Sequence, residues 1–232
     1  MKAITPLSGL NSFKFIAKDL LIDKNSSINM DIMNFLSIDC STDIGSLFVK
    51  VKNKTFSQTL QSDKSNNDLL MKQILDFFNE NDISFTDVSN IYVNQGPGNF
   101  SGLRGSLATA KGISLSKDLK LFGYDKFIWT YAKFLNKKKS IYSLIKFRER
   151  YFIKKFENLN KKSRIIETNK KEIIKKYNSK FLVIAKNARN NFDDEILNLD
   201  NLNTIDLKHE DLEILQLKGL LDENFIKPIY LS

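Results

Sequence analysis

A chain of 232 residues can bury a sizeable core, as one domain or as two small ones. Its single cysteine, Cys40, excludes an intramolecular disulfide framework and suits a reducing compartment, while its single histidine, His209, excludes multi-histidine metal sites within the chain. The net charge of +9 is unevenly spread, because residues 137–190 hold 18 of the 36 Lys and Arg but only 4 of the 27 Asp and Glu.

Taken in chain order, residues 1–32 carry a brief amphipathic run from Phe13 to Leu21 and a polar break at Asn25-Ser26-Ser27. The expectation there is poor order, or an upstream start. Three strands follow, Phe35–Cys40, Gly45–Val51 and Thr55–Leu60, each apolar or β-branched and joined by short turns such as Lys52-Asn53-Lys54. A first long helix over about 66–81 carries Leu70, Ile74, Phe77 and Phe78 at helical spacing, with Leu69 and Met71 beside them beginning a second apolar stripe. After a turn at Phe85–Val88, a strand over Ile91–Gln95 runs into Gly96-Pro97-Gly98-Asn99-Phe100-Ser101-Gly102-Leu103-Arg104. Glycines there permit close backbone approach, and Asn99 or Ser101 can cap the helix that follows, Ser101–Lys117. Along that helix Gly102, Gly105, Thr109 and Gly112 recur at intervals of three and four, while Leu103, Leu107 and Ala110 point elsewhere. Each interior glycine weakens a helix by roughly 1 kcal/mol relative to alanine, so a bare face of this kind calls for a compensating close contact. Leu119–Gly123 reads as a short strand. Beyond Lys137 the pattern gives a hairpin (Ser140–Lys146, Tyr151–Phe156), a short helix (Lys170–Lys176), a buried strand (Phe181–Ala185) and a last helix (Glu210–Leu221). No internal repeat is visible.

The Gly96–Arg104 run resembles the Gly-Pro-Gly-x-Phe-Thr/Ser-Gly-aliphatic-Arg signature of the threonylcarbamoyladenosine biosynthesis protein TsaB family, within the actin-like superfamily of ATPase folds. Met33-Asn34-Phe35-Leu36-Ser37-Ile38-Asp39-Cys40-Ser41-Thr42 is similar to that family's opening strand, and Lys227-Pro228-Ile229-Tyr230-Leu231 to its closing tail. Met33 stands where family members begin. The resemblance is specific from Met33 to about Phe127. It departs from the family at Ser65-Asn66-Asn67, where a serine-histidine pair is usual. It implies an α/β, two-lobed actin-like (RNase H-like) fold with a mixed sheet and flanking helices in each lobe. Residues 33–136 then form the first lobe, with the partner-binding helices, and 137–232 a second, basic lobe. The implied function is a non-catalytic scaffold for tRNA threonylcarbamoyladenosine modification that binds and activates a TsaD-like catalytic subunit, with a TsaE-like ATPase joining the assembly and no catalytic residue of its own. The implied partner-binding residues are Leu70, Ile74, Gly98, Phe100, Ser101, Gly102, Arg104, Gly105, Thr109 and Gly112. A homodimer when the partner is absent is compatible with the same face.

Other readings stay open beside this one. Asp39 at the end of the first strand, followed by Ser41 and Thr42, resembles the phosphate-binding turn of actin-like ATPases, where a carboxylate orders magnesium-bound water. A second phosphate loop and an adenosine-binding glycine pair are not found, so the nucleotide site reads as degenerate, with room for weak ATP or ADP binding and no cofactor or metal of its own. The alternative function is an actin-like small-molecule kinase or ATPase. The glycine turn could equally cradle an anion at a helix N-terminus, and Arg104 could be an interfacial ion-pair partner or a structural cap. The basic second lobe reads either as a surface for tRNA phosphates or as compositional bias with solvated lysines; Tyr142, Phe147, Tyr151, Phe152 and Phe156 interleave with its cations but at strand alternation face a core. His209, in a polar stretch, reads as solvated, and Cys40 as a buried strand-end thiol. No segment approaches the ~20 apolar residues that span a bilayer and the first residues make a poor signal peptide, which points to the cytoplasm.

Overall fold

The computed structural model describes residues 33–61, 69–135, 140–157, 163–224 and 226–231; the 1–32 extension and the Ser65-Asn66-Asn67 stretch lie outside them. Strands β1 (Phe35–Asp39), β2 (Ile44–Val51) and β3 (Lys54–Gln61) form an antiparallel meander. The β2–β3 turn is made by Lys52 and Asn53, both at positive φ. Helix α1 (Leu70–Glu80) follows, then β4 (Asn90–Gly96), helix α2 (Phe100–Lys117) and β5 (Lys120–Asp125), with β4 parallel to both β1 and β5. The sheet order is β3-β2-β1-β4-β5.

Strand alternation divides this sheet into two faces. Leu36, Ile38, Leu47, Val49, Ile91 and Val93 pack against Leu70, Ile74, Phe77 and Phe78 of α1 and Leu107, Ala110 and Ile113 of α2. Because helices cover one face and a second core the other, every residue of β4 is buried.

Helix α3 (Lys126–Tyr131) continues into a 3-10 turn, Ala132–Phe134, and leads to the second sheet. There β6 (Ile141–Phe147), β7 (Arg150–Phe156) and β8 (Ile165–Thr168) form another antiparallel meander; after α4 (Lys170–Lys176), β9 (Phe181–Ala185) runs parallel to β6, and after α5 (Asp194–Leu197), β10 (Leu202–Ile205) runs parallel to β9. Its order, β10-β9-β6-β7-β8, repeats the connectivity of the first sheet strand for strand. This duplication lives in hydrogen-bond topology, where no sequence repeat need accompany it. The α/β, two-lobed, mixed-sheet expectation therefore holds.

The two sheets share one core. Phe35, Phe48, Tyr92, Phe122 and Tyr124 of the first lobe meet Phe127, Trp129 and Tyr131 of α3 and Ile141, Phe152, Phe156 and Val183 of the second. Tyr131 stacks on Phe156 with ring centroids 4.8 Å apart. The opposite face of the second sheet forms its own cluster around Leu144, Ile153, Ile173, Leu182 and Ile184.

The last part of the chain differs from expectation. Residues expected in the second lobe return to the first. Helix α6 (Asp211–Leu217) places Glu213 against Lys50 of β2, a 2.5 Å ion pair. Asp222 bridges to Gly123 of β5, Ile226 joins the α1/α2 core, and the Ile229 N–H donates to the Gln95 carbonyl at 2.7 Å. α6 also ends at Leu217 rather than Leu221, with Gly219 at positive φ two residues later.

Candidate functional site: the glycine turn and helix α2

The Asp39–Thr42 turn and the glycine turn are folded into each other. One Asp39 carboxylate oxygen accepts from the Ser41 N–H at 2.9 Å and from the Ser41 hydroxyl at 2.5 Å. The Ser41 hydroxyl in turn accepts from Asn94 Nδ2 at 3.2 Å, and Asn94 Oδ1 takes the Gly96 N–H at 2.8 Å. The Asn99 N–H donates to the Ser41 carbonyl at 2.9 Å. Asn99 then caps α2 by accepting from the Ser101 N–H, so of the two candidate caps it is Asn99 that serves. Thr42 spends its hydroxyl on the Ile44 carbonyl.

Two glycines of the motif are needed for this internal fit. A Cβ on Gly98 would overlap the Ser41 carbonyl, and one on Gly102 would overlap the Cys40 carbonyl. Close backbone approach between α2 and the end of β1 therefore accounts for both, and this corrects their assignment to a partner face. Leu70 and Ile74 are corrected on the same ground: both are buried in the lobe's own core, at 5% and 0% exposure. Phe100, Ser101 and Arg104 do face outward, Gly105 and Thr109 are half-buried, and Gly112 is exposed with no atom within 4 Å of a built Cβ.

Sequence reasoning missed how the tail completes this surface. Tyr230 stacks on Phe100 at 5.3 Å, and the Arg104 guanidinium lies over the Phe100 ring at 5.1 Å. Phe100 and Tyr230 are 54% and 52% exposed. Arg104 therefore caps no helix among the described residues, and its guanidinium stays on the outward face. Leu115, at 86% exposure, extends the outward stripe toward the far end of α2, and Leu75 of α1 is 42% exposed. An open pocket of about 580 Å³ lies at that end, lined by Leu75, Phe78, Phe85, Val88, Lys117 and Leu119 among others.

The face of the first sheet that carries Phe35, Ser37, Ser46 and Phe48 is covered by side chains of later elements. His209 is partly buried there, not solvated: its ring stacks on Phe48 at 5.4 Å, Nε2 contacts the Ser46 hydroxyl at 3.0 Å and Nδ1 the Ser37 hydroxyl at 2.8 Å. Burial holds its pKa below the usual histidine value, opposed by Asp39 and Glu210. Burial likewise lowers Lys126 and raises Tyr124 well above an ordinary phenol. Cys40 is half-buried, and burial, with a smaller contribution from Asp39, pushes its thiol up to about 12, which leaves it protonated and a poor nucleophile. No cluster of three or more His, Cys, Asp or Glu suited to a metal occurs among the described residues. Nor is any helix among them long and apolar enough to cross a membrane.

Comparison with known proteins places these features in context. A family profile described as TsaD, tRNA N6-adenosine threonylcarbamoyltransferase, matches residues 53–143. The tRNA threonylcarbamoyladenosine biosynthesis protein TsaB of Buchnera aphidicola subsp. Baizongia pistaciae is 30% identical over 88 residues, a match that spans 38% of this chain and 40% of that protein. Among solved structures, YeaZ from Pseudomonas aeruginosa superposes with a TM-score of 0.59 at 15% identity, covering 86% of this chain and all of that one. A second structure, titled an uncharacterized protein with similarity to peptidase YEAZ from Pseudomonas aeruginosa, gives 0.62 at 14% identity with the same coverage. The structural likeness carries the two-lobed fold, and the residues matched by the TsaD profile enclose the glycine turn. The chain is thus similar in sequence, over part of its length, to a TsaB protein and to the TsaD profile, and in fold to YeaZ.

Proposed function

We propose that this chain is a non-catalytic scaffold subunit in tRNA threonylcarbamoyladenosine synthesis, which binds and activates a TsaD-like transferase through the outward face of α2. The observation that carries this reading is the exposed stripe Ser101, Arg104, Ala108, Gly112 and Leu115, small at three of its five positions and ending in a bare leucine. Small residues let a second helix approach closely, and a standard interface of about 1,600 Å² in total would cover the stripe together with the Phe100–Tyr230 stack. The same face would serve a homodimer when the transferase is absent. On this reading a TsaE-like ATPase joins the complex, which works in the cytoplasm, and the chain needs no cofactor. Asp39, Ser41 and Thr42 are already engaged with their own turn, so a nucleotide would have to displace those bonds to bind.

Gly112→Leu is the test. Gly112 is exposed and a Cβ there meets no neighbouring atom within 4 Å, so the fold is expected to survive while the partner's approach is blocked. Tagged wild type should co-purify with the TsaD-like subunit of the same organism and support threonylcarbamoyladenosine formation on a tRNA transcript, and the variant should lose at least tenfold in both. A folded variant that binds and activates as well as wild type would sink the proposal.

A further inference from the structure

We infer that the outer edge of β3 is a pairing surface for a second copy of this chain, which joins the first sheets of the two copies into one continuous antiparallel sheet. The outer strands of the two sheets are not alike. β8 and β10 are four residues long. β5 is bridged by the returning tail, with the Gly123 N–H donating to the Asp222 carbonyl at 2.7 Å and the Asp222 N–H to the Gly123 carbonyl at 2.8 Å. β3 runs for eight residues, pairs with β2 without a register shift, and has no strand beyond it among the described residues. It lacks proline, and Lys54 beside the turn is its only charge. Proteins blunt exposed edges by shortness, bulges, proline, charge or a cover, and of these β3 shows Lys54 alone among the described residues.

The hairpin fixes which groups this edge offers. Lys52 and Asn53, both at positive φ, make a two-residue turn that closes on the Val51–Lys54 pair. That pair is hydrogen-bonded, so along β3 Phe56, Gln58 and Leu60 bond back to β2, whereas Thr55, Ser57, Thr59 and Gln61 turn their N–H and C=O groups outward. A two-fold axis at Gln58 carries this outward set onto itself: Thr55 faces Gln61 of the second copy, and Ser57 faces its Thr59. Each facing pair exchanges two N–H···O=C bonds, and no other antiparallel register engages the whole set. The side chains agree with it. Ser57 and Thr59 are exposed hydroxyls that meet across the joint, and Phe56 meets Leu60 on the helix-covered face. The net charge of +9 does not oppose the contact, because its excess lies in residues 137–190. An isologous contact uses up the edge that makes it, so assembly through β3 closes at two copies. β2 separates β3 from β1, to which the start of α2 is pinned, so this surface is distinct from the α2 stripe.

The test is the mass of the full chain in solution, followed by analytical ultracentrifugation over a concentration series. Wild type should sediment as a dimer. Ser57→Pro removes only an outward N–H and leaves the β2 ladder whole, so it should keep the fold and weaken dimerisation about tenfold or more. Ser57→Lys with Thr59→Lys should weaken it too, by setting lysine opposite lysine, as should Ser57→Glu with Thr59→Glu. Mixing these two double variants should restore a dimer with one copy of each, which keeps the test alive should the proline variant fail to fold. Gly112→Leu, which obstructs the α2 face, should leave the dimer intact. A monomeric wild type, a dimer that survives the β3 changes and is lost with Gly112→Leu, or charged variants that stay apart when mixed would each overturn the inference. Binding of a TsaD-like subunit through α2 is read separately by the co-purification above, so either reading can fail alone.

Discussion

Two glycines of helix α2 that look alike in sequence should respond to alanine with opposite signs. A Cβ at Gly102 would overlap the Cys40 carbonyl oxygen and sit 3.3 Å from its carbonyl carbon. Neither backbone can yield freely, because the Asn99 N–H bond to the Ser41 carbonyl pins the start of α2 to the end of β1. Overpacking of this kind costs about 1–3 kcal/mol, here near the upper end because the obstacle is backbone. Replacing glycine inside a helix returns about 1 kcal/mol. The net for Gly102→Ala is a destabilisation of about 2 kcal/mol, which for a protein of this size lowers Tm by about 4–8 °C. At Gly112, with no atom within 4 Å of a built Cβ, only the helix gain remains, so Gly112→Ala should raise Tm by about 2–4 °C. Thermal unfolding of the full chain, followed by circular dichroism, measures both. A Gly102→Ala variant as stable as wild type would refute the account of α2 packing on β1 given above, and a Gly112→Ala variant that melts lower would remove the case for a bare, uncontacted stripe.

Two further outcomes follow from buried polar groups. Asp125 caps α3, its Oδ1 accepting from the Ile128 N–H at 2.6 Å, while Oδ2 pairs with Lys154 at 2.9 Å, both side chains being only 12% and 10% exposed. Asp125→Ala should cost about 3–5 kcal/mol by stranding the lysine charge, and Asp125→Ala with Lys154→Met should recover most of it; urea unfolding that finds the double variant no better than the single one would contradict this. His209 has its folded pKa held below the unfolded value near 6.5. The unfolded chain therefore binds the extra proton first, and stability present above about pH 6.5 falls as pH drops toward the folded pKa, by at most about 1.4 kcal/mol per pH unit. The stability difference between wild type and His209→Gln should shrink between pH 7.5 and 5.5, and a difference constant across that range would show that the imidazole is not held neutral.

Periodicity in the sequence reports that a side chain is buried without saying against what. The stripe Leu70, Ile74, Phe77 and Phe78 was legible as the apolar face of a helix, but a core-facing stripe and a partner-facing one carry the same spacing, and two of its members were given to a partner. The glycines of α2 pose the same ambiguity: Gly102 is small for the neighbouring strand and Gly112 is small facing solvent, though both belong to one run of three- and four-residue spacings. His209 sits among polar neighbours in sequence, yet its ring is enclosed by Phe48 and Trp129, residues far away in the chain. Helix α3 was not legible because Lys126–Tyr131 is buried almost all round, which erases the 3.6-residue alternation. Strands β8 and β10 are four-residue edge strands with little continuous apolar character, below the length at which alternation is informative.

What the sequence does carry strongly is concentrated in the first lobe, and the structure gives a physical reason. The Gly96–Arg104 turn must fit its backbone against Ser41 and Cys40, take the tail's Ile229 N–H on Gln95, and present Phe100 to Tyr230. Each of those contacts restricts residue type, so the motif is dense. The second sheet repeats the same strand order with no glycine anywhere in residues 137–218, so no such close backbone approach is built there. Its strands need only be apolar on alternate positions, a constraint that many sequences meet. Composition is therefore free to vary there, and the excess of Lys and Arg in residues 137–190 is an addition to the fold, not a requirement of it.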